Sequence, residues 1–339
     1  MGPGIRGRDA RPRRTELEAP VIVDLPDTTV SKISRALVSV REEGGAVALG
    51  RVLTLIILTR EGAVEEVIEA ANDASREHPM RVIVLLLPDG YDEQSRLDAQ
   101  IRVGGDAGAS EVVTLRAFGD AGRSNLESLV TGLLLPDAPV VVWWPNRTPE
   151  NISKTSIGRI AQRRITDAAA QTDPSAWVAG LGAQYAPGDT DLAWTRLTRW
   201  REQLAAILDQ PPYEPVVGVR VRGASDSPST ALLAAWLRLA LDVPVDWAYL
   251  DPEEWPHGIK SVALVRPSGE VLLERPTSGT AILTQPGQPS HELAFPRRTL
   301  RECLAEELRR LDPDVLYGRV ITEGWELLDP PATKETRNR

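Results

Sequence analysis

Few residues in this chain have the types and spacing that support chemistry. His78, His257 and His291 could act as acid–base groups or metal ligands, but they stand isolated, and none has the spacing of a metal-ligand set. The single cysteine, Cys303, excludes an intramolecular disulfide and a cysteine-rich zinc site. It shares a helical stripe with Leu300, Leu304 and Leu308, which predicts a buried, inert thiol, because apolar surroundings disfavour the reactive thiolate. Asp251, Glu253 and Glu254 cluster about Pro252, where a turn with solvated carboxylates accounts for them. There is no nucleophile elbow and no kinase signature. These residues predict no catalytic site, no metal site and no bound cofactor.

Two glycine-rich stretches bear on anion binding. The run GGAVALGRV at 44–52 precedes a predicted strand and lacks the Lys-Ser/Thr pair of a phosphate-binding loop. The run GDAGRSN at 119–125 is better placed, since it follows a predicted strand and opens a predicted helix. Backbone amides at that helix start, together with Arg123 and Ser124, could hold an anion, although an ordinary turn explains the same residues.

Recognition chemistry is more abundant. Nine tryptophans stand against two phenylalanines, and Trp supplies large contact area with one donor. Trp143, Trp144, Trp194 and Trp200 lie around the middle of the chain, near Lys154, Arg159, Arg163, Arg164 and Arg196. Trp and Arg dominate protein–protein hot spots, so these residues are the partner-binding candidates; core packing between domains is the competing explanation.

The elements that must position them follow from periodicity. At 186–212, Leu192, Trp194, Leu197, Trp200, Leu204, Ile207 and Leu208 recur at helical spacing, after Asp189, Thr190 and Asp191 as start signals and before Pro211-Pro212 as a stop. Trp194 and Trp200 are separated by about 120° on an ideal helix, so one of them could face outward. Before this helix, the apolar runs at 52–58, 81–87 and 140–144 read as buried strands, with helices and an antiparallel hairpin between them. Residues 146–171 read as helical and 177–181 as a short strand. After Pro215 a similar order returns: strand, apolar helix, strand, antiparallel strands, and an amphipathic helix carrying Cys303.

The predicted class is α/β, with two related α/β domains of mixed sheets joined by a helical segment. The boundaries are a disordered tail at 1–20, an N-terminal domain at 21–145, a helical connecting segment at 146–212, a C-terminal domain at 213–328 and a polar tail at 329–339. The arginine-bearing stretch 1–20 has no apolar pattern; a translation start placed too early would also explain it. A length of 339 residues accommodates two cores. The net charge of -9 argues against nucleic acid and anionic membranes as partners, and no apolar run is long enough to span a bilayer. Composition thus predicts a soluble, cytoplasmic protein.

Five stretches carry a resemblance: IVDLPDTTVSKISRAL, EEGGAVALGRVLTLI, LLLPDAPVVVWWP, RRITDA and YAPGDTDLAWTRLTRWREQLAAILDQPP. Together they resemble the glucose-6-phosphate dehydrogenase assembly protein family, OpcA, of actinobacteria and cyanobacteria, from about Val21 to about Trp325. The resemblance implies a non-catalytic partner that assembles and allosterically activates glucose-6-phosphate dehydrogenase, at the head of the oxidative pentose phosphate pathway. It transfers no residue-level binding motif. Cysteines are linked to thiol-dependent control in the cyanobacterial relatives, and a single Cys303 departs from that pattern. The alternative from the residues is a sugar-phosphate-binding enzyme or sensor using Gly119–Asn125.

Overall fold

The computed structural model describes residues 21–43, 51–87, 94–104, 111–122, 126–225 and 227–331. The tail at 1–20, the glycine-rich residues 44–50, the anion candidates Arg123 and Ser124, and 332–339 lie outside the described residues.

Elements of the first sheet and its helices are β1 (Val21–Leu25), α1 (Val30–Glu43), β2 (Leu53–Thr59), α2 (Val64–Ser75), β3 (Met80–Leu86), β4 (Arg96–Val103) and β5 (Glu111–Phe118). They continue as α3 (Leu126–Thr131), β6 (Val140–Trp144), α4 (Ser156–Arg159), β7 (Arg163–Thr166), α5 (Pro174–Gln184) and β8 (Asp189–Asp191). The strand order is β1-β4-β5-β3-β2-β6-β7-β8. From β5 to β8 all neighbours are parallel, whereas β4 is antiparallel to both β5 and β1.

Strands β2, β3 and β6 are buried along their whole length, as runs without polar alternation require. Alternate side chains serve two cores. Leu55, Ile57, Val82, Val84 and Trp143 face α2, while Ile56, Leu58, Ile83, Leu85 and Trp144 face α1, α3 and α4.

The chain then runs through α6 (Leu192–Thr195), α7 (Thr198–Leu208), β9 (Gly218–Ala224), α8 (Pro228–Leu241), β10 (Val245–Leu250), β11 (Ile259–Arg266) and β12 (Gly269–Glu274). It ends with β13 (Thr280–Thr284), β14 (His291–Ala294), α9 (Leu300–Arg309) and α10 (Val315–Arg319). The second sheet has order β10-β9-β11-β12-β13-β14; β9 and β10 are parallel across α8, and the rest are antiparallel. Helices α5, α7, α8 and α10 share one core with this sheet. The chain is therefore α/β with two mixed sheets.

Three sequence expectations differ from the structure. Residues 146–171, read as helical, contain only short turns and α4 before β7, which joins the first sheet. Residues 177–181, read as a strand, lie inside α5; Asp173 caps this helix by accepting from the Ala176 N–H at 2.9 Å, and Pro174 occupies its first turn. The single helix expected at 189–208 is instead β8 followed by two helices. Asp191 does cap a helix, taking the Ala193 N–H at 2.8 Å, but the chain breaks and restarts at Leu197.

The last amphipathic helix forms as expected but packs elsewhere. Cys303, Leu304, Ala305 and Leu308 of α9 join the α2 face of the first sheet, not the core of the second.

Candidate functional site

The middle of the molecule is a junction built from buried charge. All four residues of β7 are buried, including two consecutive arginines. Arg163 donates from Nε to Glu307 Oε2 at 2.8 Å, and from Nη1 to the Asp312 carbonyl at 2.7 Å. Glu307 sits on α9 and also accepts from the Thr190 hydroxyl at 3.3 Å and from Thr195. Arg164 pairs with Asp189 of β8 and donates to the Ala161 and Pro187 carbonyls at 2.9 and 2.6 Å.

A second network lies beside the first. The Thr166 hydroxyl donates to Asp191 Oδ2 at 2.6 Å, and the Ala168 N–H reaches Asp191 Oδ1 at 3.1 Å. Arg196 forks onto both oxygens of Asp167 at 2.7 Å each. Burial, and then the neighbouring Asp167 charge, push the Asp191 carboxyl up to about 6. These contacts bind β7, β8, α6 and α9 into one unit.

The partner candidates fall mostly inside it. Trp143 and Trp144 are buried on opposite faces of β6. Trp194 is 1% exposed and Trp200 2%, so neither faces outward. The break at Leu197 shifts the angular offset of an ideal helix, and both rings are covered. Trp194 donates to Asp314 at 2.8 Å and lies under the Arg201 guanidinium, 3.9 Å from the ring centre; Trp200 meets Phe295 edge-on at 5.0 Å. Arg163 and Arg164 are buried in the pairs above, and Arg196 is half-buried against Asp167. Arg159 is exposed, donating to the Lys154 carbonyl at 2.8 Å.

Cys303 is fully buried, and burial pushes its thiol up to about 11. The three histidines are not brought together into a metal site; among the described residues, no cluster of His, Cys, Asp and Glu could hold a metal ion.

Sequence reasoning passed over Glu307, Asp167 and the carboxylates of β8 as junction residues. The available signal was charge inside RRITDA and GDTD, two stretches too short and polar to read as strands.

The first sheet carries a further clue. Its six parallel strands, numbered in chain order, run 3-2-1-4-5-6, the order of dinucleotide-binding sheets, whose ligand lies at the switch point between the first and fourth strands. Here that point is flanked by Thr59 and Asn146, whose side chains are 2.9 Å apart. The turn after β2 holds one glycine, Gly62, and an acid, Glu61, and the first turn of α2 adds Glu65 and Glu66. Glu61 is paired with Arg116 at 2.9 Å and Glu65 with Arg102 at 3.0 Å, and a turn with one glycine lacks the glycine-rich backbone that lets a pyrophosphate approach a helix start. Among the described residues, no helix is long and apolar enough to cross a membrane.

Fold and junction thus define a two-sheet α/β protein that keeps a dinucleotide-type strand order without its phosphate-gripping turn. Residues 71–182 match the glucose-6-phosphate dehydrogenase subunit N-terminal domain, and residues 187–321 match the C-terminal domain of that subunit. The chain belongs to the OpcA family of glucose-6-phosphate dehydrogenase assembly proteins.

No curated protein matches the chain significantly. Among solved structures it is similar to the WlbA dehydrogenase from Chromobacterium violaceum in complex with NADH and UDP-GlcNAcA. That likeness has 12% identity and a TM-score of 0.32, over 84% of this chain and 89% of that one. Another likeness is to an E. coli structure described as trehalose-6-phosphate bound with UDP-2-fluoro glucose, at 10% identity and a TM-score of 0.23, over 59% of this chain and 66% of that one. Likenesses this weak carry no argument about function.

Proposed function

We propose that this chain is a non-catalytic assembly factor and allosteric activator of glucose-6-phosphate dehydrogenase, acting in the oxidative pentose phosphate pathway in the cytoplasm. The observation that carries this reading is the match of both halves to the family's two domains. The chemistry of the chain is consistent with it. Its buried charges are paired with one another at the junction, and the switch-point turn is acidic.

An activator works by binding the active form of its enzyme more tightly than the inactive form; contact alone shifts nothing. Docking requires solvent-facing groups, and the exposure of Lys154 and Arg159 supports reading them, ahead of the buried tryptophans, as direct contacts.

The test mixes the purified full chain with glucose-6-phosphate dehydrogenase. Co-elution as a complex and a raised dehydrogenase rate are expected. Separate elution with an unchanged rate would overturn the proposal, as would dehydrogenase activity of this chain by itself.

A further inference from the structure

Beside the second sheet, the end of α6, the start of α7, the N-terminus of α8 and the segment leading into α9 line a half-open cavity of about 240 Å³. Five arginines line it: Arg196, Arg199, Arg275, Arg297 and Arg298. Such convergence is unusual in a chain of net charge -9.

Three of the five are compensated. Arg196 is paired with Asp167, Arg199 reaches Glu302 at 3.2 Å, and Arg298 pairs with Glu306. Arg275 and Arg297 have no carboxylate partner among the described residues. The Arg275 side chain is held in place, 5.1 Å over Trp200 and 4.8 Å over Phe295, with Nη2 donating to the Phe295 carbonyl at 3.2 Å. Arg275 is only 5% exposed, and its buried Nε finds no acceptor. Burial, then the neighbouring charges of Arg297 and Arg199, push its guanidinium down to about 10. A buried cation held beside two others, with a donor that no protein group accepts, has the charge and hydrogen-bonding capacity to receive an anion.

The remaining wall suits the same ligand. The N-terminus of the fourteen-residue helix α8 opens on the cavity, and its cap, Ser227, leaves its hydroxyl unbonded to the helix amides. That end carries partial positive charge and attracts anions. Trp200, Pro228 and Ile259 supply apolar wall on which a small carbon body can rest.

We propose that this cavity binds a small metabolite through a phosphomonoester, with Arg275, Arg297 and the start of α8 holding the phosphate. Charge decides the class. Two uncompensated guanidinium groups match a phosphomonoester of about -1.5 to -2 at neutral pH better than a single carboxylate. The small volume and the acidic chain disfavour nucleic acid. This inference is independent of the dehydrogenase-activating role.

Calorimetric titration of the full chain with a hexose 6-phosphate, inorganic phosphate and the unphosphorylated hexose tests it. The hexose 6-phosphate should saturate one site, inorganic phosphate should compete, and the hexose alone should not bind. Arg275→Gln and Arg297→Gln should each weaken binding by about tenfold or more, since each removes a charge-assisted bond. Arg220→Gln, outside the cavity and paired with Glu270, should leave it unchanged. If Arg275→Gln does not fold, Arg297→Gln, whose side chain is exposed, decides alone. Binding of inorganic phosphate without the hexose 6-phosphate would overturn the metabolite assignment. Failure of both phosphate probes to bind, or binding that the folded variants leave intact, would overturn the site.

Discussion

Trp143 and Trp144 are neighbours on β6 whose rings fill different cores, and neither indole N–H has a partner. Trp143→Ala should therefore cost ~3–5 kcal/mol in denaturant unfolding, while Trp143→Phe should cost clearly less, because no hydrogen bond is lost with the indole. Asp191 sets a pH dependence. Its folded carboxyl titrates at about 6, above the ordinary carboxylate range, so the native state holds a proton that the unfolded chain has released. The stability contributed by that group is complete below pH ~4 and is lost as pH rises through 6, by up to about 3 kcal/mol. The difference in unfolding energy between the protein and Asp191→Asn should change across that window; parallel curves would count against the burial account. Arginines divide by exposure. Arg159→Glu should weaken association with the dehydrogenase in a salt-dependent way at unchanged melting temperature, whereas Arg163→Glu should unfold the chain. The sequence did not separate these residues, because an arginine that caps a surface helix and one that pairs in a core look alike until the partner carboxylate, here Glu307, 144 residues away from Arg163, is in place.

Helix α9 is the element whose form was legible in the sequence and whose position was not. The Thr299-Glu302 capping box and the Leu300, Cys303, Leu304, Leu308 stripe define it locally, yet a stripe does not say which sheet it covers. Its docking against α2 is fixed by the Arg163–Glu307 pair beneath it and by Arg301–Asp73 and Arg309–Glu77 at the rim. The rim pairs are exposed and contribute little; the buried one decides. Glu307→Gln should destabilise the protein by ~3–5 kcal/mol, because it strands the Arg163 charge. The double variant Arg163→Met/Glu307→Leu should recover much of that loss, a cycle read by unfolding curves. Strands β2, β3 and β6 were legible because continuous apolar runs have few alternatives. Strands β7 and β8 were not, because their buried polar side chains are stable only within the assembled network.

At the scale of the whole molecule the two sheets share the charged junction, a short apolar stretch of α6 and a helix. Leu192 packs in the first sheet's core, Ala193 and Trp194 in the second's, and α9 returns across the junction. A fragment of residues 21–212 should therefore fail to give a stable monomer, and adding the fragment 213–339 should restore a folded complex, measured by near-ultraviolet circular dichroism and gel filtration. Independent folding of the first fragment would show that α9 is dispensable to that core. The same arrangement governs how the protein is made. The ribosome releases β8 more than a hundred residues before α9. At ~5–20 residues per second that interval is on the order of ten seconds. Throughout it, the α2 face of the first sheet lacks its second cover, so the nascent chain presents an apolar surface suited to a holding chaperone. A product truncated before Leu300 would be cleared by quality control instead of accumulating as a folded half.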